Sequence, residues 1–139
     1  MFHSVEFRAH VHATEEEGRV EQAFRTLCPE GSIEKEASEG QHGNPIVLMR
    51  CRIQKDDAIK AFWTRVKDAG LLEKILQDLD DRVDEDATLH VRFDKQKAYS
   101  GTIDLARDGD VIAVRAKVAA HPAKKSVAVR VAREYLRRL

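Results

Sequence analysis

The chain has few cysteines, few aromatic residues and no long hydrophobic run. Two of its 139 residues are cysteines, Cys28 and Cys51, and their spacing does not suggest a pair, so we expect free thiols in a reducing compartment. No stretch of about 18 apolar residues is present, which argues against a membrane span. The N-terminus lacks the hydrophobic region of a signal peptide. These absences predict a cytoplasmic protein with no membrane partner.

Motifs of common enzymes are also missing. There is no Gly-x-Ser-x-Gly sequence, and neither cysteine lies in a recognised catalytic motif. The glycines of segment 40–45 are not followed by the Gly-Lys-Ser/Thr of a Walker loop, and they do not form a dinucleotide fingerprint. The acidic run 80–86 does not have the spacing of a calcium loop. We therefore predict a non-enzymatic protein without catalytic residues, cofactor or metal.

Charge is abundant but unevenly distributed. Charged residues make up 35% of the chain, and the formal net charge is zero. Residues 1–86 carry 12 Lys/Arg and 19 Asp/Glu, whereas residues 87–139 carry 12 and 5. This asymmetry predicts a basic surface for an anionic partner, and the alternative is that acidic and basic elements pack side by side. The length and the 42% hydrophobic content predict one domain spanning residues 1–139.

Hydrophobic periodicity predicts the order of the elements. Apolar residues alternate with polar ones in the strands and recur at helical spacing in the helices. Strands are predicted at 2–13, 32–37, 46–54 and, as two or three pieces, between 88 and 120. Helices are predicted at 15–28, 57–69, 72–79 and 124–137, the first opened by a capping box from Thr14 to Glu17. The pattern indicates an α+β two-layer sandwich, whose mostly antiparallel or mixed sheet carries helices on one face.

The segment Leu89–Val118 is the strongest functional signal. Its basic side chains alternate with apolar ones, so they leave the core on the uncovered face of the sheet. Within it, the Asp94–Gly101 loop holds Lys95 and Lys97 for phosphates, Gln96 as a hydrogen-bonding group and Tyr99 for stacking on an unpaired base. The alternative is that Asp94 and Gln96 tie the loop together and that Tyr99 lies in the core.

The Gly40–Pro45 turn is a second candidate contact. Its two glycines permit close backbone approach, and its exposed N–H groups could hold an anion, although a purely structural turn is the alternative. Adding the basic strand positions completes the predicted RNA-contact set, which consists of Arg8, His42, Asn44, Arg52, Arg92, Lys95, Gln96, Lys97, Tyr99, Arg115 and Lys117.

Histidines are the remaining groups that could run acid–base chemistry. His10 and His12 share a strand face, and His42 or His90 could approach them. Such a cluster could bind zinc or cleave a phosphate ester. No carboxylate or cysteine lies at a recognisable ligand spacing, however, so the histidines are interpreted as polar surface or as donors to phosphate.

Three blocks together resemble a known family. They are His12-Ala13-Thr14-Glu15, Gly40-Gln41-His42-Gly43-Asn44-Pro45-Ile46, and the block from Arg92 to Gly101. The set resembles an archaeal family of small proteins described as predicted RNA-binding proteins or predicted exosome subunits, over about Val5 to Val118. That family's fold is similar to the large-subunit ribosomal protein that binds the small ribosomal RNA at the central protuberance. The resemblance therefore implies a ribosomal-protein-like α+β fold.

Residues and resemblance together predict an RNA-binding protein. Its partner would be RNA that is structured or carries unpaired bases, in RNA processing or degradation with the exosome, or at the ribosome. One alternative is an adaptor or homodimerising domain without RNA binding, which a broad apolar patch would favour. Another is a small histidine-dependent nuclease, which metal-dependent turnover would reveal.

Overall fold

A computed structural model describes residues 1–39, 45–107 and 109–139. Five strands and six helices are found in this part of the chain. In chain order they are β1 (Phe2–Val11), α1 (Glu17–Leu27), β2 (Ser32–Glu39), β3 (Pro45–Ile53), α2 (Asp56–Asp68), α3 (Leu72–Gln77), α4 (Leu79–Arg82), β4 (Thr88–Asp94), α5 (Lys95–Tyr99), β5 (Val111–Val118) and α6 (Lys125–Arg137).

The strands form one antiparallel sheet in the order β2-β3-β1-β5-β4. Strand β1 lies in the centre, and β2 and β4 form the edges. Alternate residues of β1, among them Val5, Phe7, Ala9 and Val11, are buried, while those between them are exposed or half-buried. The helices therefore cover one face of the sheet, and the predicted α+β two-layer sandwich is confirmed.

Few aromatic residues are present, but most of them lie at the centre of the core. Phe62 of α2 packs edge-on against Phe7 of β1, with ring centroids 5.0 Å apart, and lies 4.9 Å from the ring of Trp63. All three side chains are fully buried. Stripes of Val, Ala, Ile and Leu from α1, α2 and α6 complete the covered layer, because helical spacing puts their apolar residues on one side.

The start of α1 differs from the predicted capping box. The helix begins at Glu17 with Glu16 as its N-cap, and neither Thr14 nor the N-cap side chain caps it. Instead the Glu15 carboxylate accepts a hydrogen bond from the His12 N–H at 3.1 Å. It also forms an ion pair with Lys95 at 2.8 Å. Glu15 thus contacts the distant Lys95 as well as the nearby His12 N–H, and the predicted capping box from Thr14 to Glu17 does not form.

Segment 94–101 is also more ordered than the predicted loop. Asp94 accepts a hydrogen bond from the Lys97 N–H at 2.9 Å and caps the single helical turn α5. Thr26 of α1 donates to the Ala98 carbonyl at 2.6 Å and fixes this turn against the first helix. Two strands, β4 and β5, occupy the region for which two or three were predicted.

The two cysteines are free, as predicted, but they lie side by side in the core. The Cys51 thiol of β3 is hydrogen-bonded to Cys28 at the end of α1, and this bond together with burial raises the pKa of Cys51. Gly31 packs directly over them, since a Cβ at this position would lie 2.1 Å from Cys51 Sγ and 3.4 Å from Cys28 Sγ. No larger residue fits here without a shift of the neighbouring core.

Candidate nucleic-acid interface

The uncovered face of the sheet carries rows of polar side chains. In an antiparallel sheet, directly opposed residues point to the same side. Strand register aligns one row of Ser32, Arg52, Glu6, Arg115 and His90, and a second row of Glu34, Arg50, Arg8, Ala113 and Arg92. We call this surface, which these two rows and Lys117 define, the open face. Its acidic residues are concentrated toward β2, whereas the β4 and β5 side is mainly basic.

Two arginines of the open face are neutralised by neighbouring glutamates. Arg50 of β3 pairs with Glu36 of β2 at 2.7 Å. Half-buried Arg8 lies 3.7 Å from Glu6 on the same strand. These pairs leave the central and β2 parts of the face with little net charge available for a ligand.

Three other arginines keep their charge free. Arg52, Arg92 and Arg115 are exposed, and their guanidinium groups have no ion pair or hydrogen bond to any of the described residues. Lys117 is half-buried, and its ammonium group donates to the Asp86 carbonyl, so this charge is not free for a ligand. A guanidinium group offers five donors in a fixed planar fork that matches phosphate oxygens, so these three side chains are available for an anionic ligand.

A shallow basin of about 590 Å³ lies between β1, β5 and β4. Its floor includes the small side chain of Ala113, and the register puts Arg8 and Arg92 on either side of it. Arg115, His10 and His90 also line the basin. A depression walled by guanidinium and imidazole groups fits an anionic group such as a phosphate.

Asp84 holds one wall of this basin. Its Oδ2 lies 2.7 Å from His90 Nε2, and its Oδ1 accepts hydrogen bonds from the N–H groups of Asp86 and Thr88 at 2.9 and 3.1 Å. Burial opposes ionisation, but the His90 contact and these N–H donors together lower the pKa of Asp84. The turn also contains Ala87 at φ 59°, a left-handed conformation that costs free energy for a residue with a Cβ. The acidic run 80–86 therefore includes a structural anchor that periodicity does not reveal.

The structure contradicts the predicted position of Lys95. This side chain is 1% exposed and lies in the core rather than toward solvent. Its Nζ donates to Glu15 Oε1, Asp110 Oδ2 and the His10 carbonyl, each at 2.8 Å. A lysine has three donors, and these oxygens use all of them. Lys95 therefore cannot meet a phosphate in this conformation.

Beside Lys95, the fold brings a histidine and two carboxylates together. Ligand atoms of His12, Glu15 and Asp110 lie within 4.8 Å of one another, and His12 Nε2 is 3.5 Å from Asp110 Oδ1. The sequence spacing did not reveal this group, because Asp110 lies far along the chain from the other two. The Lys95 ammonium lies 2.8 Å from both carboxylates and offsets part of their negative charge, so the arrangement is explained as an internal ion cluster.

The remaining residues of the Asp94–Gly101 block differ in availability. Gln96 and Lys97 are exposed, but Lys97 Nζ lies 2.6 Å from Asp104 Oδ2, an interaction that raises the pKa of Lys97 and lowers the pKa of Asp104. Tyr99 is half-buried, and the Arg19 guanidinium covers its ring at 4.8 Å. Stacking of a base on that face of the ring would require displacement of Arg19.

Two predicted contacts, His42 and Asn44, lie outside the described residues. Across the described ranges, Met1 is the one large hydrophobic side chain that is strongly exposed. No helix in this part of the chain has the length and apolar character needed to cross a membrane. The described surface therefore offers charged groups to a partner, and it offers no broad apolar patch.

Comparison with known proteins identifies relatives over most of the chain. A family model described as RNA binding matches residues 4–118. RNA-binding protein PAB1135 of Pyrococcus abyssi is 37% identical, with 96% of this chain and 93% of that protein covered. The crystal structure of AF2318 from Archaeglobus fulgidus, a DUF54 protein, has a TM-score of 0.86 at 37% identity and covers 96% and 99% of the two chains. Mth689 of Methanothermobacter thermautotrophicus, also a DUF54 protein, has a TM-score of 0.85 at 38% identity, with 98% of each chain covered.

Proposed function

The chain belongs to the family described as RNA binding, whose family model matches residues 4–118. We propose that it binds RNA through the open face of its sheet. Arg52, Arg92 and Arg115 would contact the phosphate backbone, and the basin between β1, β5 and β4 would hold one phosphate group. The single observation that carries this proposal is the presence, on one face, of three exposed guanidinium groups without a partner among the described residues.

Contacts of this kind make affinity dependent on salt rather than on base sequence. Each neutralised phosphate releases condensed counterions, so the logarithm of the binding constant falls as the logarithm of the salt concentration rises. Lys95 contributes nothing to this term because its charge is internally neutralised. The contact set thus shifts from the Asp94–Gly101 block toward the strands.

The aromatic residues favour structured RNA over unpaired bases. Recognition of single strands relies on exposed rings on which bases stack. All five phenylalanines and Trp63 are at most 2% exposed. The two tyrosines are half-buried, and neither belongs to the rows of the open face. A face that presents guanidinium groups without such rings suits the sugar–phosphate backbone of an A-form duplex.

The same surface argues against the adaptor alternative. Interfaces for protein partners bury an apolar centre within a polar rim. The open face has arginines and glutamates in its central rows, and Met1 is the strongly exposed large hydrophobic residue of the described chain. Charge complementarity with a polyanion is the better match.

The test is removal of two free guanidinium groups. We expect Arg92→Ala together with Arg115→Ala to weaken binding to an RNA duplex of about 16 base pairs and to flatten the salt dependence by about two units of log–log slope. Fluorescence anisotropy titrations at several salt concentrations measure both quantities. The matched control is Lys55→Ala with Lys60→Ala, which removes two exposed charges from the N-terminal part of α2. An unchanged slope in a folded Arg92/Arg115 variant would remove the open face from the interface.

Several finer expectations stay predictions. They are an association with the exosome or the ribosome, homodimerisation and a cytoplasmic location. The absence of enzymatic activity is another, and the His12, Glu15 and Asp110 cluster makes it worth testing directly. Labelled RNA should remain intact with or without a divalent metal, and cleavage that His12→Ala abolishes would establish a nuclease instead.

A further inference from the structure

A second basic surface lies on α6. Residues 126, 130, 133 and 137 follow one another at steps of four, three and four, so they form one stripe along the helix. Three of these positions are arginines, namely Arg130, Arg133 and Arg137. A shallow groove of about 320 Å³ runs along the stripe. We call these three arginines the α6 stripe.

The α6 stripe points away from the core. The buried side of the helix consists of Ala128, Val129, Ala132 and Leu136, and α6 packs against α3, α4 and β5 in the helical layer. The stripe lies on the flank of the helix next to this buried side, where Arg130 and Arg137 are exposed and Arg133 is half-buried. The α6 stripe and the open face therefore belong to opposite layers of the sandwich.

Positive charge predominates in this region, although Glu134 also lines the groove. From residue 124 to the end there are six Lys/Arg and one acidic residue, Glu134. None of the six has a side-chain ion pair or hydrogen bond to the described residues. Lys35, in contrast, pairs with both Glu17 and Glu21. Free arginines clustered on one helix raise the local potential for a polyanion.

We propose that the α6 stripe binds the phosphate backbone of a second RNA segment, so that one protein molecule bridges two RNA helices. The choice of RNA as ligand rests on the proposed function, but the surface is separate from the open face. The stripe belongs to the helical layer and the open face to the uncovered side of the sheet, so we expect a short rigid duplex docked on one surface to leave the other free.

The chemistry of the stripe favours a phosphate backbone over a membrane. Arg130 and Arg137 are seven residues apart, or about 10 Å along the helix axis, a distance that contains about three phosphates of one strand. A membrane-binding helix would expose large apolar side chains beside its cations. The described residues of α6 bury or half-bury theirs. Guanidinium groups also bind phosphate in a bidentate manner that ammonium groups cannot.

The experiment is a duplex-bridging capture assay. One RNA duplex of about 16 base pairs is immobilised, the full chain is added, and a second, fluorescent duplex is then supplied at low salt. We expect the unmodified protein to retain the fluorescent duplex. The triple variant Arg130→Ala, Arg133→Ala and Arg137→Ala should still bind the immobilised duplex but should retain at least about tenfold less of the fluorescent one, given phosphate contacts of this number.

A matched variant controls for net charge. Lys55→Ala, Lys60→Ala and Lys74→Ala also remove three positive charges, from exposed positions on or next to α2 and α3, and should bridge as the unmodified protein does. Circular dichroism and thermal unfolding establish that each variant is folded. Five of the six substituted positions are exposed and Arg133 is half-buried, so we expect small effects on stability.

The possible outcomes separate this proposal from the proposed function. Bridging that survives the triple α6 substitution, including a bridge made by two protein copies, overturns the α6 proposal and leaves binding by the open face intact. If the unmodified protein binds the immobilised duplex but captures no fluorescent duplex, the α6 proposal is also overturned and binding by the open face is left intact. If the α6 variant loses all duplex binding while Arg92→Ala with Arg115→Ala loses none, RNA binds at the α6 stripe alone, and both the open-face site and the bridge are wrong. No binding of the first duplex by the unmodified protein overturns both.

Discussion

Arg92 and Lys95 are basic residues of the same short sequence block, but the fold places them in opposite environments. Arg92 is exposed on the open face without a partner among the described residues. Lys95, three positions later, is 1% exposed and has three oxygen partners at 2.8 Å. The difference shows that a positive charge becomes available to a ligand only where no carboxylate of the protein reaches it first.

The two environments also differ in what they contribute to folding. A buried ammonium that lost its carboxylates would face a large desolvation cost, and carboxylates that lose their cation face the same problem. An exposed arginine interacts mainly with water and contributes little to stability. Substitutions should therefore separate a structural cation from a binding one.

The largest effect is expected at Lys95. Lys95→Ala leaves Glu15 and Asp110 facing each other without their cation and opens a cavity, so we expect the free energy of unfolding to fall by about 3 kcal/mol. Urea denaturation measures this change. Lys97→Ala is the matched control and should change stability by less than about 0.5 kcal/mol, because its pair with Asp104 is exposed. Equal effects of the two substitutions would abolish the distinction between the buried and exposed lysines.

A second substitution tests the covered layer without changing charge. Gly31→Ala forces a Cβ against Cys51 Sγ, so we expect a loss of about 2 kcal/mol from overpacking. Gly18 lies at an exposed position of α1, and a Cβ added there would have no atom within 4 Å. Gly18→Ala should therefore stabilise the protein by about 0.5 kcal/mol through helix propensity. Introducing Cys51→Ala into the Gly31→Ala chain should recover part of the loss. Absence of any recovery would contradict the steric explanation.

An intermediate effect is expected at Asp84, which anchors His90 beside the basin. Its lowered pKa means that the ionised carboxylate stabilises the fold above the unfolded-state pKa of about 3.9, and this stability is lost as the pH falls through the lowered value. Asp84→Asn should therefore cost about 1 kcal/mol at pH 7. The difference from the unmodified protein should shrink in urea titrations at progressively more acidic pH. A deficit independent of pH would show that charge is not the cause.

The smallest effect on stability is expected on the open face itself. Arg92→Ala together with Arg115→Ala should change the free energy of unfolding by less than about 0.5 kcal/mol, because neither guanidinium group has a partner among the described residues. Thermal unfolding without RNA measures this. A clear loss of stability would mean that these arginines are part of the folded framework, and it would weaken the case that they are kept for a ligand.

Sequence periodicity alone determined the architecture and the composition of the open face. Alternation of apolar and polar residues in a strand is local, so it assigned Phe7, Val91 and Val114 to the core and Arg92 and Arg115 to the other side. Helical spacing likewise predicted α2 and α6 to within a residue at each end. These predictions succeeded because the side-chain direction repeats every two residues in a strand and about every 3.6 residues in a helix.

Only the tertiary structure decided which charges remain free. Lys95 is neutralised by Glu15 and Asp110, which come from the chain after β1 and from the chain before β5, and His90 is held by Asp84 from the turn before β4. The helix α1 begins at Glu17 and not at residue 15, and Glu15 just before it contacts Lys95 from across the fold. Ion pairing depends on distances of a few ångströms between segments far apart in the chain, and local periodicity carries no information about those distances.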